Sequence, residues 1–180
     1  MKVADNVHLI APSWSYVYLI VGEKLAFIDT GLPQYFEDVR KYVEDLGHRL
    51  QDISFIINTH VHEDHVGCNK ALKDICKAKL AIHELDAKYI ENPVDFLKDT
   101  FRHMPPSEDY VREAKSWKDN VDIFLKDGDI IELGGVTLEV VHTYLVIRKV
   151  PFAYMMKKER FFFLEMLYKV LQLMWRSLAQ

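Results

Sequence analysis

The sequence predicts an α/β domain, and three observations predict it. Strand, helix and strand follow one another in "ISFIINTH", "NKALKDIC" and "AKLAIHE". Runs of β-forming residues flank that unit on both sides. Between His60 and His65, "HVHEDH" places three imidazoles and two carboxyls at the end of the first buried strand.

Each element follows from local chemistry. "SYVYLIVGEKLAFIDTG" is two apolar runs, rich in aromatic and β-branched residues, around Gly22-Glu23-Lys24, which signals a hairpin. "PQYFEDVRKYVEDLG" predicts a helix with Pro33 near its start and Gly47 past its end. Phe36, Val39, Val43 and Leu46 recur at a spacing of three to four, so one face is buried. "ISFIINTH" is a nearly continuous apolar run, as expected of a strand covered on both faces. With "NKALKDIC" as the crossover helix it makes a βαβ unit with "AKLAIHE". Residues 86–118 are polar, helical in pattern and broken by "MPPSED", so they form an inserted helical lobe. "IFLKDGDIIELGGVTLEVVHT" returns to β structure, with turns at Asp127-Gly128 and Gly134-Gly135.

At 180 residues the chain is one domain and long enough to bury roughly 70% of its unfolded surface without disulfides. Two cysteines, Cys68 and Cys76, suit free thiols in a reducing cytosol. "MKVADNVHLIAPSW" has no apolar signal-peptide core, and no apolar run reaches the length of a membrane span, so a cytoplasmic location is expected. Residues 144–180 carry a net charge of +5 within a total of −4, which leaves −9 on residues 1–143. An acidic body is a poor partner for nucleic-acid phosphates, and a small-molecule substrate is the expectation.

Alternation along a strand would put His60 and His62 on one side with Val61 in the core. Asp64 and His65 would follow where Gly67 permits a turn into the next helix. The carboxyl end of a buried parallel strand is where open α/β sheets bind ligands. Neutral imidazole and carboxylate suit Zn²⁺ and accept Fe or Mn, and bound zinc brings the pKa of its water to about 7. A surface turn that happens to be His-rich is the plainer alternative. Three His and an Asp directly after "FIIN" favour a metal site.

"THVHEDHVG" resembles the His-x-His-x-Asp-His signature of the metallo-β-lactamase superfamily, with its leading Thr59 and trailing Gly67. "LAFIDTG", ending at Asp29-Thr30-Gly31, and "DGDIIELGGVTLEVVHT" resemble flanking segments of that family in order and spacing. The resemblance covers residues 1–143 and is nearest the glyoxalase II-like hydrolase branch. It implies that His60 and His62 bind a first metal and that Asp64 and His65 bind a second. Asp64 would also serve catalysis by orienting the attacking hydroxide. Zinc, one or two ions, is the implied cofactor, and the substrate is a small ester, thioester or lactone, with amide and phosphoester open. Asp29 would organise the loop beneath the site, and Glu63 would be a solvated side chain.

The resemblance stops after His142-Thr143. The family continues with Pro-Gly-His, whose histidine is a metal ligand, whereas this chain has Val146 at that place. Residues 144–180 hold no His, Asp or Cys, so later ligands are missing. His142 matches a non-ligating histidine of the family and is expected behind the site or in the core, the alternative being a one-metal site in which it completes a His60/His62 set. The implied fold is therefore an incomplete metallo-β-lactamase-type αββα half-sandwich with an apolar helical C-terminal tail. In that tail Glu165, Lys169, Gln172 and Arg176 form a narrow polar stripe. One account of the tail is a shifted reading frame. Read from the third base of the Tyr144 codon, the frame can spell Pro-Gly-His and then a Gly-Asp. The product as written is expected to bind metal weakly, with little or no hydrolase activity. The alternative is a non-catalytic protein that uses the tail helix for oligomerisation or for docking on a partner or membrane surface.

Overall fold

The computed structural model describes residues 1–10, 16–101, 103 and 105–142, together with the backbone of 152–156 and 161–163. Two hairpins open the chain: β1 (Lys2–Ala4) with β2 (Val7–Ile10), and β3 (Val17–Val21) with β4 (Leu25–Ile28). Asn6, at φ 64°, makes the first turn in the left-handed region that Asn tolerates. A 3-10 turn at Pro33–Tyr35 leads into α1 (Phe36–Asp45), which buries Val39 and Val43. Gly47, at φ 81°, closes that helix while His48 N–H donates to Val43 C=O.

The central unit is β5 (Ile53–Ile57), a short α2 (Glu63–Val66), α3 (Asn69–Cys76) and β6 (Lys79–His83). Strands β4, β5 and β6 run parallel, with Ile28 opposite Ile57 and Ile57 opposite Ala81. The helical insert is α4 (Glu84–Glu91), α5 (Pro93–Thr100) and α6 (Glu108–Ser116), where Ser107 caps α6 by accepting from Tyr110 N–H. β7 (Ile123–Leu125) then joins β6 in parallel and completes a seven-stranded sheet in the order β1 to β7. β8 (Ile130–Glu132) and β9 (Thr137–His142) begin a second sheet.

Apolar side chains separate into two layers. One side of the first sheet packs Leu19, Phe27, Ile56, Leu80 and Ile82 against Val39, Val43 and Leu72 of the helices, with Trp117 1% exposed beside them. The other side packs Ile20, Ile28, Ile57 and Ala81 against Ile131, Leu133, Val136, Leu138 and Val140 of the second sheet. The inner face of the first sheet is therefore covered by β8, β9 and the turn between them. The sheets also meet at their turns. Glu23 N–H donates to Gly134 C=O and Lys24 N–H to Leu133 C=O. A Cβ on Gly22 would stand 2.5 Å from Leu133 O, so only glycine fits there.

Beyond β9 the backbone forms β10 (Phe152–Met156), antiparallel to β9, and β11 (Phe161–Phe163), antiparallel to β10. The helical expectation for the tail does not hold at Phe161–Phe163, where an aromatic run pairs with a neighbouring strand. The remainder of the proposed tail helix, and Val146, lie outside the described residues.

Candidate metal centre

β5 ends at Ile57, so His60 and His62 stand on the loop beyond it and not on the strand itself. His62 is the residue before α2, with extended backbone (φ −67°, ψ 147°). The turn is held from below by a buried polar network. Thr30 Oγ1 lies 3.0 Å from both His65 C=O and Asn69 Oδ1, and Thr30 N–H donates to His65 C=O. Asn69 Nδ2 donates to Asn58 Oδ1 at 2.7 Å. Buried polar groups persist only when satisfied in this way, and a satisfied network rigidifies what it touches. Gly67 has ordinary helical dihedrals (φ −57°, ψ −31°), so conformational freedom is not why glycine is there. A Cβ would lie 2.8 Å from Glu63 O and 2.9 Å from Gly31 O, so the reason is space.

Asp29 organises the loop from the end of β4. Its carboxylate accepts from Thr59 N–H at 2.8 Å, from Thr59 Oγ1 at 2.6 Å and from His65 Nδ1 at 2.9 Å. With the Thr59 hydroxyl proton committed to Asp29, the 3.0 Å contact between Thr59 Oγ1 and His60 Nδ1 assigns the His60 proton to Nδ1. Both imidazoles therefore direct Nε2 into the site. This carboxylate-to-imidazole support behind a donor nitrogen is how proteins fix metal-ligating histidines.

The donors form two pairs. His65 Nε2 faces Asp64 Oδ2 at 3.4 Å, and His60 Nε2 faces His62 Nδ1 at 2.8 Å. Two ligands about 2.0–2.1 Å from a tetrahedral ion stand about 3.3 Å apart. The Asp64/His65 pair has that spacing, which is long for a charged hydrogen bond. The His60/His62 pair needs to part by about half an ångström to reach the same spacing. His60 and His65 bring the pairs together, with ring centroids 3.9 Å apart. Among the described residues no group of three His, Cys, Asp or Glu side chains is arranged to hold one ion. The donor set thus fits a metal in kind, and the Asp64/His65 pair in spacing, with each pair short of a third protein ligand among those residues.

Electrostatics keep the donors ready. Burial, then the neighbouring His65 and His62, holds His60 well below the usual histidine range, so its imidazole is neutral at pH 7. Burial and His65 also lower His62, against an opposing pull from Asp64. Burial alone would raise Asp64, but the neighbouring His65 and His62 bring it below the ordinary carboxylate range.

His142 is not among these donors. Its ring lies 4.9 Å from that of His83, and its N–H donates to Asp127 Oδ1. Glu63 is not simply solvated. Burial, then the neighbouring Glu113, pushes it up to about 7. The insert also brings Phe96 to 5.7 Å from His62, ring to ring. Phe96, Tyr110 and Glu113 escape sequence reading because they lie about 30 to 50 positions beyond the motif, in a segment legible only as helical.

Two stacked sheets with helices on the outer face of the first, and a loop of imidazole and carboxylate groups beyond β5, define a layered α/β protein with a candidate metal site. Residues 12–146 match the metallo-beta-lactamase superfamily, and the chain belongs to that family. Among curated relatives, a probable metallo-hydrolase of Methanocaldococcus jannaschii is 32% identical over 75 residues, 42% of this chain and 35% of the relative. The coenzyme F420H(2) oxidase of Methanothermobacter marburgensis is 28% identical over 136 residues, 72% of this chain and 28% of the relative. The metallo-beta-lactamase GOB-18 of Elizabethkingia meningoseptica superposes with TM-score 0.73 at 22% identity, over 90% of this chain and 57% of its own. The class B3 di-zinc metallo-beta-lactamase LRA-12, from an Alaskan soil metagenome, gives 0.73 at 24% identity, over 90% and 59%. These structural likenesses establish the fold. The chain spans about a third of these curated relatives and under 60% of these solved chains.

Proposed function

We propose that the chain derives from a zinc-dependent hydrolase acting on a small ester, thioester or lactone, and that as written it retains metal binding with little turnover. The observation that carries this reading is the Asp64/His65 pair, an anionic and an imidazole donor facing each other at 3.4 Å with Asp29 behind the imidazole. His60 and His62 would hold one ion, and Asp64 and His65 a second. When bound, zinc supplies a Lewis acid and lowers the pKa of a coordinated water to about 7. The protein's own contribution is positional. Asp29 keeps the His65 proton on Nδ1, Thr59 does the same for His60, and burial keeps His60 neutral. Asp64 is the anionic group at the site and would orient the attacking nucleophile. Loss of turnover is expected because residues 144–180, which follow the last family-like strand, hold no His, Asp or Cys. A frameshift near codon 144 is the proposed origin.

Zinc titration against a chromophoric chelator tests the centre. Wild type should bind zinc, and His60→Ala and Asp64→Ala should each weaken binding by about tenfold or more. Hydrolysis of ester, thioester and lactone substrates in zinc-replete buffer should stay near background. Unaffected zinc binding in both variants contradicts the site, and robust turnover contradicts the impairment. The coding strand around codon 144 should spell Pro-Gly-His in the shifted frame, and a frame that does not excludes that origin.

A further inference from the structure

Three aromatic rings form a continuous shelf from the helical insert to the metal loop. Tyr89 of α4 meets Phe96 of α5 edge-on, with centroids 5.6 Å apart, and Phe96 meets His62 at 5.7 Å. The outer end is fixed, because Tyr89 Oη donates to Asp99 at 2.8 Å. The far end is one of the candidate ligands. Leu97, next to Phe96, is fully buried and roots α5 in the core, while Phe96 and His62 remain half-buried. α6 lies beside the same loop, where Glu113 and Tyr110 act on Glu63, and Tyr110 packs on Phe101 at 5.8 Å. A partly buried phenyl ring packed on the core beside a donor imidazole is a preformed apolar contact, and such contacts set which substituent a polar site accepts.

We propose that Phe96 is the specificity-determining wall of this site and that it receives a flat apolar group carried next to the reacting carbonyl. The substrate class narrows to small carbonyl compounds bearing an aryl or similarly sized apolar arm. This rests on the metal-centre reading above. In the bound state the arm lies along Phe96 while the carbonyl faces the donors of His60, His62, Asp64 and His65. Tyr89 and Asp99 act behind Phe96 as its support.

The test is ligand-observed saturation-transfer NMR on the full chain in excess zinc, with phenylacetamide and acetamide as uncharged probes that do not react. Phenylacetamide should bind about tenfold more tightly than acetamide, as partial burial of a phenyl ring implies. Saturation should reach its ring protons more than its methylene. Phe96→Ala should bring the two probes to near parity while zinc affinity is kept, and Phe96→Leu should retain part of the advantage. If Phe96→Ala fails to fold, the saturation pattern in wild type decides. Equal binding of the two probes to wild type, a methylene-dominated pattern, or an advantage that survives in Phe96→Ala overturns the proposal. Absence of zinc binding in wild type overturns it together with the metal-centre reading, whereas zinc binding without probe preference overturns the proposal alone.

Discussion

Asp29 stands in the left-handed region, φ 59°, which few non-glycine residues other than Asn and Asp occupy. From there one carboxylate serves a backbone N–H, a hydroxyl and an imidazole, all buried. Asp29→Ala should destabilise the protein by about 2–4 kcal/mol, because it strands buried donors, and chemical denaturation measures this. The same variant should weaken zinc binding about 10- to 100-fold, because His65 loses the group that orients it. A second carboxyl sets a pH dependence. Asp86 is 4% exposed, and burial pushes it up to about 8. The folded chain therefore holds this proton to about pH 8, while the unfolded chain releases it near the ordinary aspartate value of 3.8. Protonation thus favours the folded state, and between those values stability falls as pH rises, by up to about 1.4 kcal/mol per pH step. Asp86→Asn removes that slope, so its melting temperature relative to wild type should improve steadily from pH 4 to pH 8. A constant difference between the two would contradict the assignment.

At the scale of elements, legibility in the sequence followed the strength of local signals. The β3–β4 hairpin, α1 with Val39 and Val43 inward, and the β5–α3–β6 unit all follow from period and capping, because each buries an apolar face that its own residues specify. The β1–β2 hairpin is harder to see, since its strands have three and four residues and its turn at Asn6 carries no glycine. The candidate site was legible as a motif, and the resemblance placed Asp29 beneath it. Its polar foundation was not legible, because Asn58, Asn69 and Thr30 meet only after folding. Gly67 illustrates the difference: sequence suggests a need for turning, and the structure shows a need for room. Gly67→Ala should lower the melting temperature by several degrees through backbone contacts at 2.8 and 2.9 Å that have nowhere to go. An unchanged melting temperature would show that the loop can shift.

For the whole molecule, two cores meet through one sheet, and the strand ends between them carry the donors. Leu138 is fully buried between the sheets, so Leu138→Ala should cost about 2–5 kcal/mol in chemical denaturation despite its distance from any helix. A negligible cost would mean that β8 and β9 do not cover the inner face. Among the described residues no helix is long and apolar enough to cross a membrane. Membership of the superfamily fixes the architecture and leaves the reaction to the site, as the match to an oxidase as well as to a probable metallo-hydrolase shows. The most direct test of the metal centre is anomalous diffraction at the zinc edge from zinc-soaked crystals. A peak within bonding distance of Asp64 and His65, with His60 and His62 turned toward it or toward a second peak, is the predicted result. Density without any peak among these four side chains would contradict it.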